Sequence, residues 1–269
     1  MDELRKAFCK ACPVSAVAAV AWSDPVVEVG PNHGPSLPEG LRYIRDFVTC
    51  SEEAELVAAM DEGEWLTHLI RAQQFFGLVY YQTRHDMASL QPASTEMQQG
   101  RAITDLPWWL LPRLVDTGVF RTGELNQVAA NKYTGTTGIA AHVEDPISFG
   151  PNLATLSLLQ PVQMTLSLAS EVKNSKESPG DGVDHGNWLK VLLEPRSLLI
   201  LQGQSRYAYR HGIRRSRLVR LRDGTEMKRG SDYCRISLTF RQLLETRRMV
   251  HVEPENRGAT ESREAECKK

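Results

Sequence analysis

Two histidines and one glutamate could together hold a metal ion. His142 and Glu144 are separated by a single residue, and His211 follows much later in the chain. Two imidazoles and one carboxylate can occupy one face of an ion and leave three positions open, an arrangement typical of non-haem Fe(II). Two of these positions can take an α-keto acid as a chelate, and the third can take O₂. A His-x-Glu pair is common by itself, so a capped histidine in a surface turn is the alternative.

The stretch from Arg235 to Arg241 alternates polar and apolar residues as a strand does. Its polar residues would share one face, which brings Arg235, Ser237 and Arg241 together. If that face is buried, the arginines need an anionic partner, and a dicarboxylate would provide one. If it is exposed, the strand is a solvent-facing edge whose apolar side lies in the core. Asn131 and Tyr133, which share a face of another predicted strand, could donate further hydrogen bonds to such a ligand.

Short strands joined by turns dominate the second half of the chain. The alternation predicts strands at 41–47, 126–133, 153–159, 162–169, 188–194, 197–202 and 235–240. Helices are predicted at 52–61 and 106–115, and the aromatic segment 73–81 predicts a strand or a bulged hairpin. Helices that precede such a series of strands indicate an α+β fold. Its core would be a jelly roll, or double-stranded β-helix, with helices packed on one side.

One large domain is expected from the length of 269 residues and a hydrophobic content of 41%. Residues 1–40 would be an N-terminal extension and linker, partly disordered, because 23–40 are rich in Pro and Gly. The folded domain would cover 41–248. Residues 249–269 would form a polar tail.

The cysteines and the apolar segments bear on the compartment. Five scattered cysteines favour a reducing environment, and Cys9 and Cys12 lack the second pair that a structural zinc site needs. No apolar run approaches the ~20 residues that cross a membrane, so we expect no membrane partner. A cytoplasmic or nuclear protein is expected. Organelle import is the alternative, because 14–22 faintly imitate a signal peptide.

Positive charge is concentrated in one part of a chain whose net charge is −1. Between Arg206 and Arg248 there are thirteen Lys/Arg and four Asp/Glu. Such a basic band is a local electrostatic footprint that can contact phosphates. Arg210, Arg214 and Arg215 lie in it beside the possible ligand His211. Any single arginine of the band could equally form a salt bridge or face solvent.

Taken together and in this order, the motifs resemble the AlkB-like family of Fe(II)- and 2-oxoglutarate-dependent dioxygenases. The family pattern is Asn-x-Tyr, His-x-Asp, a distal His and Arg-x-Asn-x-Thr-x-Arg. This chain has Asn131-x-Tyr133, His142-x-Glu144, His211 and Arg235-x-Ser237-x-Thr239-x-Arg241. The resemblance covers about Leu41 to Leu244, and the segment that begins at Asp145-Pro is similar to branches near the eukaryotic tRNA-modifying homologue.

The resemblance implies roles for individual residues. Fe(II) would be bound by His142, Glu144 and His211. Asp145 is a reserve ligand, because the family uses Asp where this chain has Glu144. The distal carboxylate of 2-oxoglutarate would pair with Arg235, and the rest of its pocket would be formed by Asn131, Tyr133, Ser237 and Arg241.

The activity implied by the resemblance is oxidation of a C–H bond by O₂, coupled to decarboxylation of 2-oxoglutarate to succinate. The expected substrate is a modified base in nucleic acid, demethylated or hydroxylated, with RNA or tRNA ahead of DNA. Phe76 and Tyr80 would contact the unstacked base, and Arg210, Arg214 and Arg215 the backbone. The alternatives are a protein or small-molecule hydroxylase of this fold and a non-catalytic binding module with a decayed metal site. A monomer is expected, and the sequence identifies no protein partner.

Overall fold

A computed structural model describes residues 22–34, 36–67, 69–79, 99–169 and 187–244. The strands in these ranges are β1 Val26–Val29, β2 Leu41–Ile44, β3 Ala72–Gly77, β4 Gln127–Thr134, β5 Ile139–His142, β6 Phe149–Leu158, β7 Val162–Leu168, β8 Trp188–Leu193, β9 Leu198–Leu201, β10 Tyr209–Ile213, β11 Leu218–Arg220, β12 Glu226–Lys228 and β13 Cys234–Leu243. The helices are α1 Cys50–Asp61, α2 Leu110–Asp116 and α3 Gly203–Tyr207, with a 3-10 turn at Ile103–Asp105.

The strands form two facing antiparallel sheets. One has six strands in the order β2-β9-β6-β13-β4-β3, and the other has five in the order β1-β8-β7-β10-β5. Strands β11 and β12 pair as a separate ribbon. Buried side chains from both sheets meet between them, among them Tyr133 and Leu153 from one sheet and Met164 and Leu166 from the other. The predicted jelly-roll core is therefore confirmed.

Strand β13 explains why the two faces of the six-stranded sheet differ. Ile236, Leu238 and Phe240 are almost fully buried and belong to the core beneath the helices. Leu56 of α1 and Leu110 of α2 lie in the same core, so the helices cover the outer face of this sheet. Burying a side chain of this size contributes about 1.5–3 kcal/mol. The polar positions of β13 consequently face the space between the sheets.

Helix α1 begins where its sequence predicts. Thr49 is the N-cap: its side chain accepts a hydrogen bond from the backbone N–H of Glu52, and the Glu52 carboxylate accepts one from the backbone N–H of Thr49. Such a reciprocal cap is worth about 1 kcal/mol. Arg113 of α2 donates to both oxygens of the Glu52 carboxylate at 2.7 and 2.6 Å, which ties the two helices together.

The structure departs from the expected N-terminal linker. Val26–Val29 forms a strand that pairs with β8, so the ordered part of the chain includes residues before Leu41. Its β-branched residues suit an edge strand despite the Pro and Gly around them. Cys9, Cys12 and the tail at 249–269 lie outside the described residues. Within the described ranges, no helix has the length and apolar character needed to cross a membrane.

Candidate active site

The two candidate histidine ligands lie opposite each other on neighbouring strands. In the antiparallel pair of β5 and β10, His142 is in register with His211, and the ring centroids are 4.5 Å apart. Residues opposite each other in such a pair project from the same face of the sheet. Gly212 permits the close approach of the strands, because a Cβ there would lie 2.8 Å from backbone atoms of Ala141. The topology thus brings together two residues that are distant in sequence.

Glu144 completes the cluster from the loop that follows β5. One ligand atom from each of His142, Glu144 and His211 can be chosen so that all three lie within 4.8 Å of one another. Nδ1 of His142 lies 2.8 Å from the carbonyl oxygen of Ala140, which can only accept, so Nδ1 carries the proton. In the neutral ring the lone pair then belongs to the other nitrogen, Nε2, which lies 3.9 Å from Oε1 of Glu144. This is the orientation that a metal-binding histidine requires.

The carboxylate of Glu144 is ionised and fixed in place. Nη1 of Arg241 donates to Oε1 and to Oε2, each at 3.1 Å, and the Arg241 guanidinium stacks on the ring of Phe149 at 4.2 Å. Burial alone would raise the pKa of Glu144. The charge of Arg241 and the contact with His142 outweigh burial and hold that pKa well below its usual range.

His211 is held in its neutral form. Burial, and after it the nearby His142, lowers its pKa to about 4. A neutral imidazole beside an ionised carboxylate is the protonation state in which both can bind a divalent cation. Two imidazole nitrogens and one carboxylate this close together fit a ferrous ion that keeps open positions.

Asp145, the reserve ligand, has a different structural role. Its Oδ1 accepts hydrogen bonds from the backbone N–H groups of Ile147 and Ser148, at 2.9 and 3.1 Å. Its Oδ2 accepts from the hydroxyl of Ser148 at 2.8 Å. The side chain therefore closes a turn after Glu144 and does not belong to the cluster of possible metal ligands.

Arg206 joins the two segments that carry these ligands. It lies in α3, directly before β10, and is only 1% exposed. Its Nη1 donates to the carbonyl oxygen of Glu144 at 2.9 Å, and its Nη2 to that of Asp145 at 3.3 Å. Two donors on successive carbonyls fix the backbone of the Glu144 loop relative to His211. The sequence shows only one arginine among many in this segment, so this role was not predicted.

A cavity of about 420 Å³ between the sheets contains the cluster. It is lined by all the residues predicted for 2-oxoglutarate, namely Asn131, Tyr133, Arg235, Ser237 and Arg241. Of the two faces that the sequence left open for β13, the buried one is correct: Arg235 is 1% exposed and lies over the Tyr133 ring at 5.2 Å.

Arg235 has unused hydrogen-bonding capacity in this cavity. Its Nη2 donates to the hydroxyl of Ser157 at 2.8 Å, whereas its Nε and Nη1 are buried without a hydrogen-bond partner in the described residues. Leaving a buried cation unpaired is costly, so the site fits an anion that supplies acceptor oxygens. The distal carboxylate of 2-oxoglutarate has the required chemistry, because a carboxylate can take both nitrogens of one guanidinium edge.

The residues predicted to contact the substrate lie in different environments. Phe76 does not face the cavity: it is fully buried in the core beneath the helices, and Phe75, its neighbour, lines the cavity instead. The phase of β3 explains this, since adjacent residues of a strand point to opposite faces. Tyr80 lies outside the described residues. Arg210 is half-buried and donates to the carbonyl oxygen of Ala141 at 2.7 Å.

Arg214 and Arg215 are exposed directly after β10, the strand that carries His211. Two further exposed arginines, Arg217 and Arg220, follow at the start of the β11–β12 ribbon. Part of the basic band is thus exposed directly after the strand that carries His211, whereas Arg206, Arg235 and Arg241 of the same band are buried.

The chain is similar to several known proteins. The family model of the 2OG-Fe(II) oxygenase superfamily matches residues 40–241. The alkylated DNA repair protein ALKBH8 homolog of Arabidopsis thaliana is 29% identical over 216 residues, which are 76% of this chain and 58% of that protein. The tRNA (carboxymethyluridine(34)-5-O)-methyltransferase alkbh8 of Xenopus tropicalis is 26% identical over 227 residues, 78% of this chain and 32% of that protein.

This chain therefore spans about half or less of the length of these two curated relatives. Among solved structures, that of OsALKBH1 is similar with a TM-score of 0.49 and 16% identity, covering 77% of this chain and 100% of that chain.

Proposed function

Since the chain belongs to the 2OG-Fe(II) oxygenase superfamily and is an AlkB-like member of it, we propose that it oxidises a modified base in nucleic acid, with RNA or tRNA as the first candidate. The chain is a 2-oxoglutarate-dependent dioxygenase, and its cofactors are Fe(II), 2-oxoglutarate and O₂. When bound, these supply the oxidation of a C–H bond together with decarboxylation of the cosubstrate.

The residues proposed to bind the metal are His142, Glu144 and His211. The support is their common neighbourhood, the neutral state of His211 and the ionised state of Glu144. Arg235 is proposed to bind the distal carboxylate of 2-oxoglutarate through its unpartnered nitrogens. Asn131, whose Oδ1 already accepts two hydrogen bonds, keeps Nδ2 as a donor for the same ligand.

The remaining work of the chain is to orient the ligands and to exclude water. Arg241 and Arg206 hold the side chain and the backbone of Glu144, so the carboxylate does not need to reorganise when the metal binds. Apolar residues of both sheets close the deep part of the cavity, among them Leu153, Met164 and Leu201. A dry, preorganised site strengthens every electrostatic contact made inside it.

The observation that carries the nucleic-acid proposal is the exposed arginine surface beside His211, formed by Arg214, Arg215, Arg217 and Arg220. A base can reach the cavity only when it is unstacked, and the arginines are suitably exposed to hold the phosphates on either side of it. The names of the relatives point to alkylated DNA and to carboxymethyluridine at tRNA position 34, which makes a modified base the natural candidate. We propose a cytoplasmic or nuclear location for the protein.

The test is a panel of modified RNA and DNA substrates. The protein, loaded with Fe(II) and 2-oxoglutarate, is incubated in air with short RNA and DNA oligomers. These carry N-methylated bases, 5-carboxymethyluridine or the methyl ester of 5-carboxymethyluridine. We expect one group of oligomers to stimulate succinate formation, with formaldehyde release for an N-methyl group or a gain of one oxygen for a hydroxylation. A mass gain on a protein substrate, without any effect of the oligomers, would overturn the proposal.

Binding provides an independent readout. The double variant Arg215→Gln/Arg217→Gln should bind single-stranded RNA less tightly than the wild type, with a shallower salt dependence. The slope of log K against log salt should change by about 0.7 for each phosphate that the protein no longer neutralises. The control Arg45→Gln/Arg121→Gln removes the same charge from exposed arginines that do not line the cavity. An equal effect of the two double variants would leave only a general charge effect and count against this surface.

A further inference from the structure

Arg71 lies directly before β3, the last strand of its sheet. It is part-buried and lines the cavity together with Gln73 and Phe75. Its Nε donates to Oδ1 of Asn131 at 3.0 Å, and Nε2 of Gln73 donates to the same oxygen at 2.8 Å. These contacts hold the stem of Arg71 against the cavity wall.

The outer end of Arg71 is not engaged. Nη1 and Nη2 have no hydrogen bond to any described residue, and no described carboxylate forms a salt bridge with this arginine. Because Nε is fixed on Asn131, the planar guanidinium presents its other two nitrogens in a fixed direction. A guanidinium held in this way is a ready donor pair for a carboxylate or a phosphate.

The charges of the cavity do not balance without a further anion. Among the described residues, the charged side chains that line it are three arginines and one glutamate: Arg71, Arg235, Arg241 and Glu144. The charges of Fe(II) and 2-oxoglutarate cancel each other, so they leave this excess of two positive charges unchanged. Arg241 is paired with Glu144, and Arg235 is buried beside its own anion site. Arg71 is the remaining cation among these described side chains, and it is only part-buried.

We propose that Arg71 forms an anion subsite that binds a negatively charged oxygen group of the substrate and so selects for it. The subsite rests on the proposed function in that the substrate is taken to be a nucleotide. The anionic group has two possible sources with the same chemistry: a carboxylate on the modified base, or the phosphate next to it. Arg71 is thereby separated in role from the cosubstrate pocket around Arg235.

The experiment measures binding to the full chain, kept free of O₂ and saturated with Fe(II) and 2-oxoglutarate. The probes are one RNA hexamer with a central 5-carboxymethyluridine, the same hexamer with its neutral methyl ester, and the same hexamer with uridine. Uridine and uridine 5′-monophosphate form a second pair. The variants are Arg71→Gln and Arg71→Lys, with Arg121→Gln as an exposed control that does not line the cavity.

If the base carries the anion, Arg71→Gln should weaken binding of the acid about tenfold to hundredfold, the size expected when a hydrogen bond to a charged group is removed. It should leave the ester and uridine hexamers within about twofold. If the phosphate is the partner, all three hexamers and uridine 5′-monophosphate should weaken together. In both cases Arg71→Lys should lie between the wild type and Arg71→Gln, because it keeps the charge but cannot hold the same hydrogen bond to Asn131.

Two results of these binding measurements would overturn the inference. One is unchanged affinity of Arg71→Gln for every probe. The other is a loss of 2-oxoglutarate affinity in Arg71→Gln as large as the loss for the probe, which would assign Arg71 to the cosubstrate.

An arm without RNA separates this inference from the proposed function. Inorganic phosphate is added to the protein loaded with Mn(II) and 2-oxoglutarate, and the relaxation of its ³¹P signal by the metal is measured. We expect the relaxation enhancement to fall in Arg71→Gln and to persist in Arg121→Gln. If no RNA binds but this difference is found, the nucleic-acid function fails while the subsite stands. If the enhancement is equal in the wild type and Arg71→Gln, the subsite is overturned.

Discussion

A single nitrogen of Arg241, Nη1, lies 3.1 Å from each of the two carboxylate oxygens of Glu144. The guanidinium itself lies over the ring of Phe149, with its central carbon 4.2 Å from the ring centroid. Glutamate is one methylene longer than aspartate, so its carboxylate has more freedom to turn away from the histidines. Arg241 removes much of that freedom, since both oxygens share one fixed donor. The longer side chain can therefore serve in this position because a neighbour restrains it.

Replacing Arg241 with Met should destabilise the metal-free protein by about 3 kcal/mol, since a buried carboxylate is left without its partner. A divalent cation should restore much of the loss, because it supplies the missing positive charge. Thermal unfolding with and without Mn(II) measures both effects. Arg113→Met, which breaks the pair with Glu52 far from the cluster, is the control and should show no recovery with metal. An equal loss for Arg241→Met with and without metal would contradict this account.

Substitutions in the loop after β5 should distinguish the role of Glu144 from that of Asp145. Glu144→Ala should abolish stable Fe(II) retention, since it removes a proposed ligand. Asp145→Ala should retain the metal at unchanged stoichiometry and lose about 1–2 kcal/mol of stability, because three hydrogen bonds of the turn disappear. Iron analysis after gel filtration and thermal unfolding provide the two readouts. Release of iron from Asp145→Ala to the same extent as from Glu144→Ala would show that the assignment is wrong.

Arg235→Gln should weaken the binding of 2-oxoglutarate by about tenfold to hundredfold, because the two unpartnered nitrogens of Arg235 are proposed to hold the distal carboxylate. Metal affinity should stay the same, since Arg235 makes no contact with the histidine–glutamate cluster. An anaerobic titration of the Fe(II) protein, followed by its charge-transfer absorption, measures the affinity for the cosubstrate. Arg121→Gln serves as the control. The assignment would fail if Arg235→Gln bound 2-oxoglutarate as tightly as the wild type.

The metal-free protein should lose stability in mild acid. Burial lowers the pKa of His211 from its ordinary value of 6.5 to about 4, so the folded state excludes a proton that the unfolded chain binds. The stability contributed by the neutral imidazole is complete above pH 6.5 and is lost as the pH falls toward 4. Melting temperatures from pH 7 to 4 should therefore fall more steeply for the wild type than for His211→Asn. Parallel pH profiles of the two proteins would refute this prediction.

The sequence predicted well those features that depend on local pattern. Alternation along Arg235–Arg241 identified the strand and the residues that share a face, because a strand repeats every two residues. Which face is buried was left open, since that depends on the helices that cover the other one. The wrong choice of Phe76 has the same origin: both phenylalanines suit a strand, and only the packing of the helices assigns Phe76 to the core and Phe75 to the cavity.

Contacts between distant segments could not be predicted from the sequence. Arg206 and Arg71 resemble any other arginine in the chain, and their roles come from acceptors 62 and 60 positions away. Strand β5 was not predicted because it is only four residues long and Ile139 is its one β-branched residue. The histidine motif at its end was recognised all the same, since it depends on residue type and spacing.

The position of strand β5 also affects how stable the site is without a bound metal. It is the last strand of its sheet, so β10 is its sole hydrogen-bonded neighbour within the described sheets. A metal bound by His142 and His211 would cross-link the two strands of this short ladder. Edge strands with few contacts open first in native-state fluctuations. Binding of the ion would then stabilise the pairing of β5 with β10 against such opening.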